Sequence, residues 1–218
     1  MAGRAVTIRN ARPEEVRRLA EIEAACWPPG VAADAECFAA RLRAWPEGQW
    51  AAEMDGRVVG VATSQRIRPG FLLAEPVTYE RVTDGNRFAR SHCPDGEVFQ
   101  LVGVSVSPEA RGARLGRVLV DHELAFARAL PGVRRIVGFT RPVGYCRRPD
   151  LPVEEYAALR REDGRWADPV LDFHLGAGAR IVSFHPNFRP EDPEALGYGI
   201  LIEYPMGGEG GDRSPPFG

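Results

Sequence analysis

The spacing of apolar residues changes period along the chain, and each change predicts an element. Val6 and Ile8 alternate with polar neighbours and predict an opening strand. Pro13 starts a helix in which Val16, Leu19, Ala20 and Glu23 recur at helical spacing. Phe38, Leu42 and Trp45 repeat every three or four residues and predict a second amphipathic helix over 34–45, stopped by Pro46. QWAAEM, Asp55-Gly56 and RVVGVATSQ predict a β-hairpin, because Asp-Gly supplies the positive φ angles of a tight two-residue turn. Residues 67–96 hold Pro69, Pro76, Gly85 and Pro94 with no sustained period, which predicts a long irregular loop that lines or covers a site.

Residues 98–108 form an apolar strand that feeds through EARGARLG into a helix over 116–130, whose inward face includes Val118, Leu119, His122, Leu124 and Phe126. A strand over 134–140 ends at Thr140, and a Pro- and Arg-rich loop then leads to a short helix at VEEYAALRRE. Within VLDFHLGAGARIVSF, His174 sits between Phe173 and Leu175 on a predicted strand, and GYGILIEY alternates as a closing strand. One domain over 1–205 is expected, followed by a glycine- and proline-rich, disordered tail over 206–218.

Composition narrows the function classes. With 44% hydrophobic and 27% charged residues the chain has the make-up of a soluble globular protein. No run of about 18 apolar residues could span a bilayer. A net charge of −2 gives no electrostatic case for nucleic acid or a membrane as partner. Every basic side chain is an arginine, so Schiff-base chemistry and a phosphate-binding lysine are excluded; arginine or backbone N–H groups must hold any phosphate. Cys26, Cys37, Cys93 and Cys146 form no C-x-x-C pair, and MAGRAVTIRN lacks the apolar core of a signal peptide. The expectation is a reduced, cytoplasmic protein without a metal site.

The chemistry concentrates where the apolar strand meets the long helix. In Pro108-Glu109-Ala110-Arg111-Gly112-Ala113-Arg114-Leu115-Gly116, small residues let backbone N–H groups approach an anion at a helix N-terminus. This loop resembles the coenzyme A diphosphate loop of the GNAT superfamily, Arg or Gln, two residues, Gly, any residue, then Gly or Ala. Arg111 and Gly116 match, whereas Arg114 stands where glycine is usual and could itself pair with a phosphate. The resemblance implies an α/β (α+β) GNAT fold, a mixed central sheet with a splayed strand and flanking helices. It also implies that the splayed backbone, here Gly103, Val104 and Val106, holds a pantetheine arm.

PEGQWAAEMDGRVVG, VTDGNRFARSHCPDG and DPVLDFHLGAGARI resemble a GNAT subgroup found in two settings: fused to carbon–nitrogen hydrolases, and as the decarboxylating loading domain of curacin-type polyketide synthases. Thr140, His174 and Arg189 match the residue types of the decarboxylating domains, and Trp27 corresponds to an active-site tryptophan. In that resemblance Thr140 and His174 hydrogen-bond the departing carboxylate and the nascent enolate oxygen, His174 also organises or delivers the proton, Arg189 holds the pocket or neutralises substrate charge, and Trp27 walls a dry pocket.

Three functions follow as expectations. The first is decarboxylation of a malonyl or methylmalonyl thioester on coenzyme A or an acyl carrier protein, giving an acetyl or propionyl thioester for polyketide biosynthesis. The second is N-acetylation of a small amine from acetyl-coenzyme A, with Glu97 or Glu203 as base and Tyr145 or Tyr204 as acid. The third is a non-catalytic acyl-coenzyme A or carrier-protein binding module. His92, His122 and His185 are read as structural.

Overall fold

The computed structural model describes residues 6–207 apart from 74 and 113. Among these, β1 (Val6–Asn10) leads through a 3-10 turn at Pro13–Glu15 into α1 (Val16–Ala24). Next comes α2 (Ala35–Ala44), where the Asp34 side chain accepts the Cys37 N–H as an N-cap. The hairpin is β2 (Gln49–Met54) and β3 (Arg57–Ile67), with Asp55 and Gly56 at φ 52° and 73°. After it come α3 (Gly70–Leu73), α4 (Tyr79–Thr83), β4 (Val98–Val106), α5 (Leu115–Ala129) and β5 (Arg135–Thr140). The chain closes with α6 (Val153–Ala158), α7 (Pro169–Leu175), β6 (Arg180–His185) and β7 (Gly199–Tyr204).

The described strands form one seven-stranded sheet in the order β1-β2-β3-β4-β5-β7-β6, antiparallel except for β4–β5. Strand alternation divides the core between its two faces. Ala51 and Val61 face Leu19, Ile22, Phe38 and Leu42 of α1 and α2. Trp50, Ala52 and Ala62 face Leu115 and Leu119 of α5. The expected mixed sheet with flanking helices is therefore present.

Three expectations need correction. Residues 67–96 are not structureless: they hold α3 and α4, and the Thr78 hydroxyl caps α4 by accepting the Arg81 N–H. One-turn helices are too short to show a period, yet Val77, Val82 and Phe88 are buried. His174 lies on α7, not on a strand, because Pro169 takes the first helical turn and the Asp168 carboxylate accepts the Val170 and Leu171 N–H groups. Val118 is 45% exposed; the phase of α5 turns Leu119, Val120 and Leu124 inward instead.

The feature that makes a site is the parting of β4 from β5. Their parallel pairing ends at Leu101↔Gly138, while β4 stays paired to β3 as far as Val106. A bulge between Thr63 and Ser64 leaves Val102 out of register with β3. Beyond it β5 turns away and pairs with β7 through Thr140↔Ile200. The two strands open into a V with one free edge.

Candidate active site

The V encloses a cavity of about 330 Å³ whose floor is β4 and β5 and whose far wall is α7. The Ser107 N–H donates to the Val59 carbonyl at 2.8 Å, so Ser107 is a hydrogen-bonded partner on β3. Antiparallel alternation then turns the backbone groups of Val104 and Val106 the other way, into the V. Cys26 Sγ donates to the Val106 carbonyl at 3.2 Å and lines the same edge. Gly103, whose own backbone serves β3, gives the strand a bare patch facing Thr63.

At the mouth, residues 107–114 carry the chain from β4 to α5. Arg111 lines the cavity, and Arg111, Gly112 and Arg114 are exposed. Gly112 has φ 91° and Arg114, the N-cap of α5, has φ 55°. The latter is a left-handed conformation, which explains a preference for glycine at this place: a side chain there costs about 1 kcal/mol. The first turn of α5 contains no acidic residue, so its N–H groups and dipole stay available to an anion. Leu115 is buried, and Gly116 faces the Phe173 ring of α7, which a methyl group added there would meet at 3.6 Å. Ala113 lies outside the described residues.

The inner end is built from side chains. Asp168, 1% exposed, satisfies four donors: the N–H groups of Val170 and Leu171, the Gly144 N–H, and the Tyr156 hydroxyl at 2.9 Å. That anchor fixes α7 against the segment after β5 and points His174 into the cavity. His174 Nδ1 lies 2.6 Å from the Tyr204 hydroxyl on β7. Burial pushes the His174 imidazole down to about 4, so it is neutral at pH 7, and burial also raises Tyr204, which keeps its phenolic proton. Thr140, at the end of β5, lines the same cavity and is 2% exposed; its Oγ1 is buried with no hydrogen-bond partner among the described residues. A buried hydroxyl with no partner is costly, about 1–3 kcal/mol, unless something else supplies one.

Trp27 closes the V from the α1 side and is held by an Nε1–H bond to Ser105 Oγ at 2.9 Å. Arg189 does not line the large cavity. It borders a small side chamber of about 30 Å³ that shares Trp27, Val102, Phe139 and Thr140 with it. The sequence-nominated residues Trp27, Thr140 and His174 are thus brought together, with Arg189 one wall away. Sequence reading missed Arg141, Tyr79 and Ser105 as neighbours, and the pairing of Tyr204 with His174. Alternation in β7 signals the burial of Tyr204 but says nothing of its partner.

The acid and base candidates fare differently. Glu97 pairs with Arg134 at 3.7 Å, and Glu203 is held at 2.7 Å by both Arg135 and Arg180; neither lines the cavity. The Tyr145 hydroxyl donates to the Leu151 carbonyl at 2.8 Å, away from the cleft. His92 stacks on Trp45, and His122 and His185 each lie against an aromatic ring. Among the described residues no cluster of His, Cys, Asp and Glu could hold a metal ion.

A strand that leaves its parallel neighbour ahead of a glycine- and arginine-bearing loop and a helix N-terminus is the deciding arrangement, and the Acetyltransferase (GNAT) family profile matches residues 16–143. The chain belongs to the GNAT family. Its GNAT fold superimposes on the loading GNATL domain of CurA from Lyngbya majuscula with a TM-score of 0.83 at 31% identity, covering 93% of this chain and 98% of that one. It superimposes on the GphF GNAT-like decarboxylase, solved in complex with isobutyryl-CoA, with a TM-score of 0.79 at 33% identity, covering 92% and 99%. In sequence the chain is 31% identical to the uncharacterized N-acetyltransferase YkwB of Bacillus subtilis (strain 168), covering 92% of this chain and 88% of YkwB. It is 26% identical to the probable hydrolase YhcX of the same organism, over 91% of this chain, and spans only 38% of YhcX.

Proposed function

We propose that this GNAT protein decarboxylates malonyl or methylmalonyl thioesters, carried on coenzyme A or a phosphopantetheine arm, to acetyl or propionyl thioesters. The observation that carries this reading is that Thr140, a buried hydroxyl with no hydrogen-bond partner among the described residues, and His174 line one cavity. Cleaving the bond between the α carbon and the carboxylate sends its electron pair into an enolate while carbon dioxide departs. The enzyme must then stabilise negative charge on the thioester oxygen with fixed donors. With the Tyr204 phenol as donor to His174 Nδ1, 2.6 Å away, the imidazole proton sits on Nε2 and an N–H donor is available to the substrate. Thr140 supplies a second donor from the opposite wall. The α carbon finally takes a proton on the face that His174 lines. Trp27 and Phe139 line the cavity, and by shielding the bound carboxylate from water they would raise the energy of the charged ground state relative to the delocalised enolate.

Outside the reacting end, the β4 edge at Val104 and Val106, where the Val106 carbonyl also accepts the Cys26 thiol, suits an amide-bearing pantetheine arm. Arg111, Arg114 and the α5 N-terminus suit a diphosphate. The acyl carrier is coenzyme A or a carrier protein, and the products would serve as starter units. Amine acetylation, the activity in the name of the YkwB relative, would need a base. No Asp or Glu lines the cavity among the described residues, so that role would fall to His174.

The test is to incubate the protein with malonyl-coenzyme A and with methylmalonyl-coenzyme A in the absence of any amine, and to follow the thioesters by mass spectrometry. Conversion to acetyl- or propionyl-coenzyme A that disappears in His174→Ala supports the reading. If neither substrate is converted, and the same groups on a carrier protein also survive, the reading fails and amine acetylation from acetyl-coenzyme A becomes the next assay.

A further inference from the structure

Two guanidinium groups flank Trp27, and the protein treats them differently. Arg141 lies 5.1 Å from the Trp27 ring and is neutralised by Asp192, through two bonds at 2.5 Å, and by Glu194 at 2.9 Å. Arg189 lies 5.8 Å from the same ring and has no ion-pair partner among the described residues. Its hydrogen bond goes to the Val31 carbonyl, and its guanidinium sits 3.8 Å from the centroid of the Tyr79 ring. A π face and a carbonyl attract a cation without cancelling its net charge.

Tyr79 is itself fixed from behind. Its hydroxyl donates to Asn86 Oδ1, the same oxygen that receives Arg41 Nη2 at 2.6 Å, and Arg41 Nε donates to the Asn86 carbonyl at 2.8 Å. Arg41 is 1% exposed and lies over the Phe38 and Phe88 rings at 5.1 and 4.8 Å. A buried guanidinium with no carboxylate partner is uncommon, because removing its hydration costs several kcal/mol (~) unless other groups compensate. Here Asn86 and two aromatic faces compensate, and the result is a rigid support on which the Tyr79 ring rests. None of these three residues has a part in the chemistry derived above.

We propose that Tyr79 is a positioning residue, whose ring, braced by Asn86 and Arg41, holds Arg189 beside Trp27 and leaves its positive charge free for the carboxylate of the incoming acyl group. The inference rests on the reading of an anionic acyl substrate given above. A carboxylate partner in place of Tyr79 would hold Arg189 equally well but would spend its charge, as Asp192 does for Arg141. The aromatic face holds it without that loss.

The test uses two unreactive coenzyme A thioethers of equal chain length, one ending in a carboxylate (carboxyethyl) and one in a methyl group (propyl), titrated by calorimetry. The wild-type protein is expected to prefer the carboxylate ligand by about tenfold. Arg189→Ala and Tyr79→Leu should each remove most of that preference and leave affinity for the neutral ligand within about twofold, with the double variant no worse than Arg189→Ala alone. Tyr79→Phe, which keeps the ring and its packing, should lose about threefold through the freed hydroxyl, and an unchanged preference in it overturns the bracing by Asn86. The proposal also fails if the wild type shows no preference, if Tyr79→Leu weakens both ligands alike, or if the double variant is additive. A protein that keeps the preference, and loses it in Tyr79→Leu, yet releases no carbon dioxide from malonyl thioesters would sink decarboxylation while sustaining the role of Tyr79.

Discussion

The two ends of the cleft are built from different materials. At the mouth, the groups that face a ligand are backbone amides of β4 and the first turn of α5, joined by exposed residues Arg111, Gly112 and Arg114. At the inner end the lining is made of side chains from β5, α7 and the segment after α1, Thr140, His174 and Trp27, with Arg189 bordering the side chamber beyond. Backbone amides are the same whatever the residue, so under the proposed function the mouth would not discriminate among pantetheine thioesters. Side chains differ from residue to residue, and the described lining of the large cavity holds no carboxylate, while Asp192, paired with Arg141, borders the side chamber. The difference teaches that binding and chemistry in this protein should separate cleanly on mutation.

The largest separation is expected from His174→Ala, which should lower kcat by about a thousandfold while leaving the affinity for coenzyme A within about twofold. Steady-state kinetics beside calorimetry would check it, and parallel loss of both would mean that the two ends are one structural unit.

Next comes pH. His174 has a folded-state value of about 4, below its ordinary 6.5, so the neutral form is the native one. Above pH 6.5 neither state binds the proton. As pH falls from 6.5 toward 4 the unfolded chain binds it first, and stability drops by up to about 3 kcal/mol, a loss that His174→Ala should largely remove. His92, also pushed down to about 4 by burial, contributes in the same direction and would persist in that variant. Urea midpoints at pH 8, 6 and 4 would read this, and kcat/KM should stay flat from pH 8 to 5. An activity midpoint near 6.5 would show that the imidazole is solvated.

Thr140→Val should cost about a hundredfold in kcat. The same change should leave stability unchanged or slightly raised, because the hydroxyl it removes is buried without a partner. A large fall in melting temperature would instead mean that the hydroxyl is bonded within the protein. At the mouth, Arg111→Ala should raise KM about tenfold with kcat intact. The smallest effect is expected from Arg114→Gly, which relieves a left-handed side chain and should raise stability by about 1 kcal/mol, readable as a few degrees in Tm.

Much of the architecture could be read from local pattern. The Asp55-Gly56 hairpin, the apolar strand ending at Val106, and the helix after the arginine loop appear within a residue or two of where periodicity puts them. The mouth of the cleft was legible for the same reason, since strand, loop and helix are consecutive. His174 lines the cavity but sits on another element than the one read for it, because Phe-His-Leu alternates like a strand while the helix signal, Asp168-Pro169, lies five residues upstream. The segment 67–96 was the least legible. Its helices are single turns, and the importance of Tyr79 depends on a ring contact with Arg189, more than a hundred residues away in the chain.

The sequence by itself determined the opening strand and two helices, the hairpin, the strand, loop and helix at the mouth and the absence of lysine chemistry, because each of these depends on neighbours along the chain or on composition alone. Only the tertiary structure decided that β5 leaves β4 at Gly138, that the Tyr204 hydroxyl meets His174 Nδ1, and that of two arginines beside Trp27 one is ion-paired and the other is not, among the described residues. Those outcomes depend on burial and on distances between residues remote in sequence. Charge and hydrogen-bonding capacity are spent or kept according to what lies within a few ångströms, and periodicity carries no record of that.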